Sequence, residues 1–410
     1  MRKLFYNIGR IWGVESVPLA YKSGNEMSVV DAVDNAWLLA EDGLIADWGA
    51  MASDLPAADQ SLDCTGMELL PGLVDSHTHV VFAATRTTEW ELRLKGASYE
   101  EIAAAGGGIL NSAAKLRVMD EQRLYDESLE RVLRMIAHGT TTLEIKSGYG
   151  LSLESEMKML RIARRIGHTV PATVKTTFLG AHAVPPEFKG NREGYVEHVI
   201  DTMLPAVAAE NLADHVDVFC DRGFFTPDET MRILAAADKL GLPAKIHANE
   251  LGLTGGVQAA VKAGAWSADH LEHTGEEEVL VLRQSQTMPV GLPGTSYFLG
   301  IPYTPGRMLI DAGLPFAIAT DFNPGSSPLC SLQMAWSLAC TQMRLLPSEG
   351  LNAITLNAAR ALRLEQICGS VARGKRADFW LTRTRDAMNS VPYYFGVNHA
   401  SQVFILGNLQ

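Results

Sequence analysis

The sequence contains few cysteines and no spacing of them that suggests a disulfide scaffold. Its 410 residues include only Cys64, Cys220, Cys330, Cys340 and Cys368, an odd number with no Cys-x-x-Cys pair. Small extracellular proteins rely on paired cysteines, whereas cytoplasmic proteins keep their thiols reduced. We therefore expect buried free thiols and a cytoplasmic location.

Positive charge is also in short supply. Lys and Arg number 35 against 47 Asp and Glu, which leaves a net charge of −12. Nucleic acids and anionic membranes are bound through basic patches, so neither is an expected partner. A small anionic substrate is still compatible with this balance, because a pocket can be locally positive on an acidic protein.

Long apolar runs and several catalytic motifs are missing. No apolar run approaches the 18 residues of a membrane-spanning helix, and Asn7, Gly9 and Arg10 interrupt the start too early for a signal peptide. G-x-S-x-G and H-E-x-x-H do not occur. The glycines at 106–108 follow no strand and precede no Lys-Ser/Thr, so we expect a flexible loop over the site instead of a phosphate loop.

The central part of the chain alternates short β-rich segments with longer amphipathic helices. Such alternation is typical of βα units that build a parallel sheet, and helices are predicted at 153–166 and 226–239. Eight strands are predicted at 72–79, 140–147, 172–182, 215–221, 244–250, 266–273, 288–294 and 316–323. Eight units predict an α/β fold of the closed (β/α)₈ TIM-barrel type, whose site lies at the carboxyl ends of the strands.

The two ends of the chain have a different character. Residues 1–68 hold short β-rich runs, with Asp42-Gly43 as a hairpin signal, and residues 366–410 resume strands, including a hairpin at 369–380. Neither end is long enough to bury a core alone. We expect a composite β-sandwich domain of residues 1–68 and 366–410 beside a barrel domain of residues 69–365.

Histidines and acidic residues end several of the predicted strands. His77 and His79 are two residues apart, and side chains at that spacing in a strand point to the same side. His247 ends the fifth strand, His270 and His273 the sixth, and Asp321 the eighth. A catalytic metal needs about three protein ligands and an open position, although surface histidines beside a turn would give the same pattern.

A metal at this rim would lower the pKa of a bound water, and a carboxylate could accept its proton. Asp321 fits that role. Glu250 lies three residues after His247. It could move a proton, hold a ring nitrogen or be a solvated acidic residue of the loop.

Seven segments resemble the amidohydrolase superfamily and, within it, the imidazolonepropionase family of histidine degradation. They are 71–79 (PGLVDSHTH), 89–96 (EWELRLKG), 144–150 (EIKSGYG), 178–182 (FLGAH), 221–225 (DRGFF), 247–250 (HANE) and 319–326 (ATDFNPGS). The terminal segment 374–378 (GKRAD) fits the composite sandwich of that superfamily. The resemblance extends over essentially the whole chain.

The resemblance implies hydrolysis of 4-imidazolone-5-propanoate to N-formimidoyl-L-glutamate, with attack of a hydroxide held on the metal at the ring carbonyl. It implies one Zn²⁺ or Fe ion on His77, His79, His247 and Asp321, with His270 assisting at the water. It also implies that the substrate or product contacts Arg86, Tyr149, His182, Glu250, Asn323, Gly325 and Ser326. Binuclear relatives carry a bridging Lys at a mid-barrel strand end, a role that Lys146 on the second strand does not fit.

Two other functions share these features. A guanine- or cytosine-type deaminase would use the same barrel and ligands, and only its pocket would differ; Arg86 with the Tyr149 segment favours a substrate that bears a carboxylate. A metal-free, non-catalytic protein of the same fold would normally have lost metal ligands. The sequence leaves the oligomeric state open, with a homodimer as one option.

Overall fold

The computed structural model describes residues 1–97 and 107–410. Gly106, in the glycine loop predicted above, lies outside the described residues. Eight parallel strands form one sheet in chain order, each hydrogen bonded to the next. These barrel strands are Leu73–Asp75, Thr140–Lys146, Thr173–Ala181, His215–Cys220, Ala244–Ala248, Ser267–His270, Met288–Gly291 and Ala317–Ile318.

The first and eighth strands meet a few residues beyond the carboxyl ends of Leu73–Asp75 and Ala317–Ile318. Thr78 forms a parallel bridge with Phe322, the His79 amide donates to the Phe322 carbonyl at 2.9 Å, and the Asp321 amide donates to the His77 carbonyl at 3.0 Å. The barrel is therefore closed, and the predicted α/β barrel is confirmed. His77 and His79 lie past the end of a three-residue strand. Their orientation therefore depends on the backbone bonds of the seam as well as on the alternation of side chains along the strand.

Helices follow the strands and cover the outside of the barrel. Ser152 caps Leu153–Thr169 by accepting from the Ser155 amide, and a Thr226–Glu229 capping box begins Pro227–Lys239, as expected from their sequences. The remaining α-helices in the described part of the chain are Thr87–Leu94, Ile109–Val118, Glu121–Ala137, Arg192–His198, Leu204–Ala209, Gly256–Lys262, Glu276–Arg283, Pro293–Leu299, Gly306–Asp311, Leu332–Gln342, Pro347–Ala353, Leu356–Ala361 and Ala387–Tyr393.

Both ends of the chain contribute to a second sheet. Its seven strands in spatial order are Asn408–Leu409, Gln402–Ile405, Phe379–Thr382, Glu68–Pro71, Arg2–Trp12, Ala32–Glu41 and Leu44–Ala50, and Gln60–Asp63 pairs with Arg2–Trp12 as the eighth. Phe5 packs edge-on against the stacked rings of Phe379 and Phe404, with centroids 4.9–5.0 Å apart, in a core separate from that of the barrel. The sheet therefore depends on both termini.

Two turns of this region test the sequence analysis. The Asp42-Gly43 turn joins two antiparallel strands with positive φ at both residues, as the hairpin signal indicates. The hairpin predicted at 369–380 is wrong: Val371–Ala372 pairs with Val14–Glu15, and Phe379–Thr382 pairs with Glu68–Pro71 and Gln402–Ile405. Long-range partners outcompete the local turn there.

Among the described residues, no helix has both the length and the apolarity needed to cross a membrane.

Candidate active site

Three buried histidines and one aspartate converge at the carboxyl end of the barrel. The ligand atoms of His77, His79 and His247 all lie within 4.8 Å of one another. The Nε2 atoms of His77 and His79 are 3.3 Å apart, and Oδ1 of Asp321 lies 3.5 Å from each of them. Residues from the first, fifth and eighth strands thus face one point.

The spacing of these donor atoms fits a metal ion. Ligands held at about 2.1 Å in a tetrahedral arrangement are about 3.4 Å apart, which is close to the observed 3.3 and 3.5 Å. Two lone pairs at that distance repel each other unless a cation or proton lies between them. Burial, followed by neighbouring positive charge, lowers the pKa of both His77 and His79 well below the usual value, which favours the neutral form that binds metals.

Two buried carboxylates behind the histidines orient the rings. Nδ1 of His77 lies 2.6 Å from Oδ2 of Asp269, and Nδ1 of His247 lies 2.9 Å from Oδ2 of Asp217. A carboxylate at Nδ1 accepts the ring proton there, so the lone pair of Nε2 is left for a metal. Asp217 and Asp269 lie on the fourth and sixth strands, and neither residue was assigned a function from the sequence.

The same carboxylates belong to a charge network inside the barrel. Lys146 places Nζ 2.6 Å from Asp217 and 2.9 Å from Glu144, and Lys245 places Nζ 2.9 Å from Glu144. The network has five side chains, and all of them are fully buried: Glu144, Lys146, Asp217, Lys245 and Asp269. Buried carboxylates need such partners to stay ionised. Lys146 is therefore occupied as a cation, which agrees with the expectation that it does not bridge two metals.

Asp321 has one oxygen toward the histidines and one held by the protein. Its Oδ2 accepts from the Thr295 hydroxyl at 2.7 Å and from the Ser326 hydroxyl at 3.4 Å, and its own φ is +52°. Positive φ at a non-glycine residue is costly and concentrates at functional sites. Thr295 belongs to none of the motifs recognised in the sequence, so its contact with Asp321 was not predicted.

Glu250 and His270 form a second pair beside the first cluster. Oε2 of Glu250 lies 3.7 Å from Nε2 of His270, and Nδ1 of His270 lies 3.4 Å from Glu272. Burial opposes the charged imidazolium, but the two carboxylates together raise the pKa of His270 well above its usual value. Burial raises the pKa of Glu250 to about 7, although His270 opposes that change. Both groups are therefore candidates for proton transfer at this site.

Arg86, Tyr149 and His182 also lie beside the histidine cluster, with the Tyr149 ring 5.8 Å from that of His79. The Arg86 guanidinium lies 5.8 Å from the Tyr149 ring centroid and donates through Nε to the Ser112 hydroxyl at 2.8 Å. The His182 ring stacks on His79 at 5.5 Å, and burial lowers the pKa of His182 to about 3. A cation and two polar rings thus border the cluster of His77, His79 and His247.

The loop after the eighth strand completes this wall. Oδ1 of Asn323 accepts from the amides of Gly325 and Ser326 at 2.7 and 2.8 Å, and its Nδ2 donates to the Asp321 carbonyl at 2.7 Å. A Cβ at Gly325 would lie 2.9 Å from the Arg86 guanidinium carbon, so glycine allows the close approach. Asn323 therefore shapes the loop, and its contact with a product stays a prediction.

His273 is the one strand-end histidine that the structure places in a different role. Its amide donates to the Asn249 carbonyl at 2.9 Å, and its carbonyl accepts from the Asn249 side chain at 3.0 Å. These bonds join the loops after the fifth and sixth strands. Asn249 has a φ of +56°, and the paired bonds hold that conformation.

Solved structures share this architecture at low sequence identity. An adenosine deaminase from Xanthomonas campestris with bound zinc matches 99% of this chain and 92% of its own, with a TM-score of 0.70 and 17% identity. A triazine hydrolase from Arthobacter aurescens matches 100% and 94%, with a TM-score of 0.73 and 15% identity. At this identity the likeness concerns the fold alone.

Sequence relatives are much closer. Imidazolonepropionase of Christiangramia forsetii is 44% identical over 411 residues, covering 100% of both chains. Imidazolonepropionase of Shewanella sp. strain ANA-3 is 48% identical over 383 residues, covering 92% of this chain and 93% of its own. The profile of the amidohydrolase family matches residues 69–409. The chain therefore belongs to the amidohydrolase family, among the imidazolonepropionases.

Proposed function

We propose that this protein hydrolyses the imidazolone ring of 4-imidazolone-5-propanoate to N-formimidoyl-L-glutamate in histidine degradation. The observation that carries the proposal is the placement of a guanidinium, Arg86, beside Tyr149 and the histidine cluster. A ring with a carboxylate arm needs both a hydrolytic centre and a nearby fixed cation. The full-length similarity to imidazolonepropionases supports the same substrate.

We propose that His77, His79, His247 and Asp321 hold one zinc or iron ion. The donor set of three nitrogens and one carboxylate oxygen suits either metal. When bound, the ion would supply Lewis acidity that lowers the pKa of a water bound to it. The buried Lys146, engaged with Asp217 and Glu144, supports a single ion per chain.

The protein side chains then handle the protons. Asp321 is proposed to accept the proton of the attacking water, supported by the Thr295 hydroxyl that fixes its Oδ2 and by the 3.5 Å between its Oδ1 and Nε2 of His77. The water oxygen bonds to the ring carbonyl carbon, the ring C–N bond breaks, and the leaving nitrogen takes up a proton. Glu250 and His270 are the neighbouring groups that can hold the ring and exchange that proton.

Arg86 is proposed to bind the propanoate arm. A guanidinium pairs with a carboxylate through two parallel hydrogen bonds, which fixes orientation as well as charge. Tyr149 and His182 face the same space and are proposed to contact the ring, with Gly325 and Ser326 closing the far side. Asn323 is proposed to hold the product with Gly325.

The experiment is a product assay on freshly made imidazolonepropanoate, which detects N-formimidoylglutamate by mass spectrometry. The metal-loaded protein should release it, and Arg86→Ala should lower kcat/KM through the loss of about 2–5 kcal/mol of carboxylate binding, with unchanged metal content. Arg86→Lys should not restore activity, because an ammonium lacks the planar fork. An imidazolone without the propanoate arm serves as the control substrate.

Equal loss by Arg86→Ala on both compounds would contradict the assignment of Arg86. Turnover of guanine or cytosine without turnover of imidazolonepropanoate would favour the deaminase alternative, whose support here is the shared fold alone. A cytoplasmic location and the oligomeric state, with a homodimer as one option, stay predictions.

A further inference from the structure

The segment that carries Tyr149 has an unusual backbone. It leaves the second barrel strand at Ser147 and runs through Gly148 to Leu151, with φ of +105° at Gly148 and +54° at Leu151. A leucine at positive φ is strained and stays there only when its surroundings impose the conformation. Some group must therefore hold this segment in place.

That group is Glu156, in the first turn of the helix Leu153–Thr169. Its carboxylate is fully buried and accepts from the amides of Gly148 at 2.8 Å, Gly150 at 2.7 Å and Leu151 at 2.7 Å. The Ser147 side chain is a further hydrogen-bond partner. Three backbone donors on two carboxylate oxygens fix four consecutive residues relative to the helix.

The same segment orients His182. The Gly148 carbonyl can only accept, so its 2.9 Å contact with Nδ1 of His182 requires the proton on Nδ1 and leaves Nε2 as an acceptor. A Cβ at Gly148 would lie 2.8 Å from that Nδ1, which shows how tightly the peptide and the ring pack. The Tyr149 ring in turn lies 5.3 Å from the His182 ring. Contacts thus run from Glu156 through one peptide to two rings at the site.

We propose that Glu156 is a positioning residue that sets the orientation of Tyr149 and His182 toward the substrate ring. The inference deepens the proposed function and rests on it, because the roles of Tyr149 and His182 belong to that proposal. Glu156 itself lies behind the segment and does not touch the substrate. It acts at a distance from the metal ligands, so its loss should leave metal binding intact.

The test is Glu156→Gln in the metal-loaded full-length protein. Glutamine keeps the shape but has only one acceptor oxygen. Its NH2 group, a donor, would therefore face a backbone amide that donates to the carboxylate in the wild type. Small displacements of binding groups cost up to about 100-fold in rate constants. We expect kcat/KM to fall about 10- to 100-fold, mainly through KM, with one metal per chain retained and Glu156→Asp recovering part of the loss.

A matched control is Glu349→Gln. Glu349 is also buried, accepts from the Leu346 amide at 2.7 Å and pairs with Arg307, on a helix that carries none of the proposed site residues. Its substitution should lower thermal stability and leave KM unchanged. If Glu156→Gln changes stability in the same way and leaves KM unchanged, the positioning role is wrong.

A double mutant separates positioning from independent effects. In a His182→Ala background, Glu156→Gln should lose clearly less than it does alone, because residues that act through one another are not additive. Full additivity would overturn the inference. If Glu156→Gln is insoluble, the same KM and double-mutant measurements on Glu156→Asp decide the question.

A crystal structure of the Glu156 variant distinguishes the two proposals. Suppose that the wild type never hydrolyses imidazolonepropanoate, but the Tyr149 and His182 side chains are displaced in the variant. That result would support the positioning role and contradict the proposed function. Suppose instead that the wild type is active, and the variant keeps both rings in place and keeps its KM. That result would support the proposed function and contradict the positioning role.

Discussion

At the scale of single residues, the site depends on acidic groups that stand behind its histidines. Asp269 contacts Nδ1 of His77 at 2.6 Å, and Asp217 contacts Nδ1 of His247 at 2.9 Å. Each carboxylate selects the ring tautomer and increases the basicity of the nitrogen that faces the centre. Metal affinity should therefore respond to residues that never touch the ion.

Asp269→Asn should weaken metal binding about 10- to 100-fold, because partners at this position typically contribute that much. A competition titration with a coloured chelator measures the affinity without any substrate. Asp238→Asn, on the exposed face of the helix Pro227–Lys239, is the control and should bind as tightly as the wild type. Unchanged affinity in Asp269→Asn would mean that the His77 ring is oriented by its packing alone.

The residues that proved predictable are those whose spacing or position in a strand has a direct consequence. His77 and His79 could be paired from their spacing, and His247 and Asp321 from the convergence of barrel strand ends. Asp217 and Asp269 could not be assigned to particular histidines, because their partners lie on other strands. A usable signal existed: both are acidic residues in the interior of predicted strands, at 215–221 and 266–273, where apolar side chains are expected.

At the scale of elements, Gly72 separates the barrel from the terminal sheet. It lies between Glu68–Pro71 of the terminal sheet and Leu73–Asp75 of the barrel. Its amide donates to the Asp378 carbonyl at 3.0 Å, and a Cβ there would lie 2.8 Å from Cγ2 of Thr141. From the sequence this residue begins the predicted strand 72–79, because the apolar residues on both sides of it do not reveal a change of sheet.

Gly72→Ala should lower the free energy of unfolding by about 1–3 kcal/mol, the usual cost of overpacking a buried contact. The thermal unfolding midpoint of the purified variant measures this. Gly275→Ala is the matched control: its φ is −109°, and an added Cβ would meet only the flexible Glu278 side chain at 3.2 Å. Equal midpoints for the two variants would show that the junction can adapt.

At the scale of the whole molecule, the barrel was predictable and the pairing of the termini was predictable only in outline. Eight βα units imply closure, and the seam between Thr78 and Phe322 provides it. The partners of Phe379–Thr382 and Val371–Ala372 are distant in sequence, so local turn signals at 369–380 were misleading. The domains predicted from the sequence, residues 1–68 with 366–410 and residues 69–365, stay a proposal, and the pairing of Glu68–Pro71 with Phe379–Thr382 adds residues 69–71 to the terminal sheet.

Deletion of residues 366–410 should give insoluble protein. It would remove Phe379–Thr382, expose the backbone edge of Glu68–Pro71 and open the cluster of Phe5, Phe379 and Phe404. Exposed strand edges and apolar surface promote aggregation. The fraction of expressed protein in the soluble lysate is the measurement. A soluble and active truncation would show that the N-terminal strands are stable on the barrel alone.

The central claim is that the buried His77, His79, His247 and Asp321 cluster holds one metal ion that the hydrolysis of imidazolonepropanoate requires. The most direct test is to remove metal with a chelator and to titrate zinc or ferrous ion back while N-formimidoylglutamate release is measured. The account predicts no release without metal, a linear rise, and saturation at one equivalent per chain. Saturation only at two equivalents, or full activity in the metal-free protein, would contradict it.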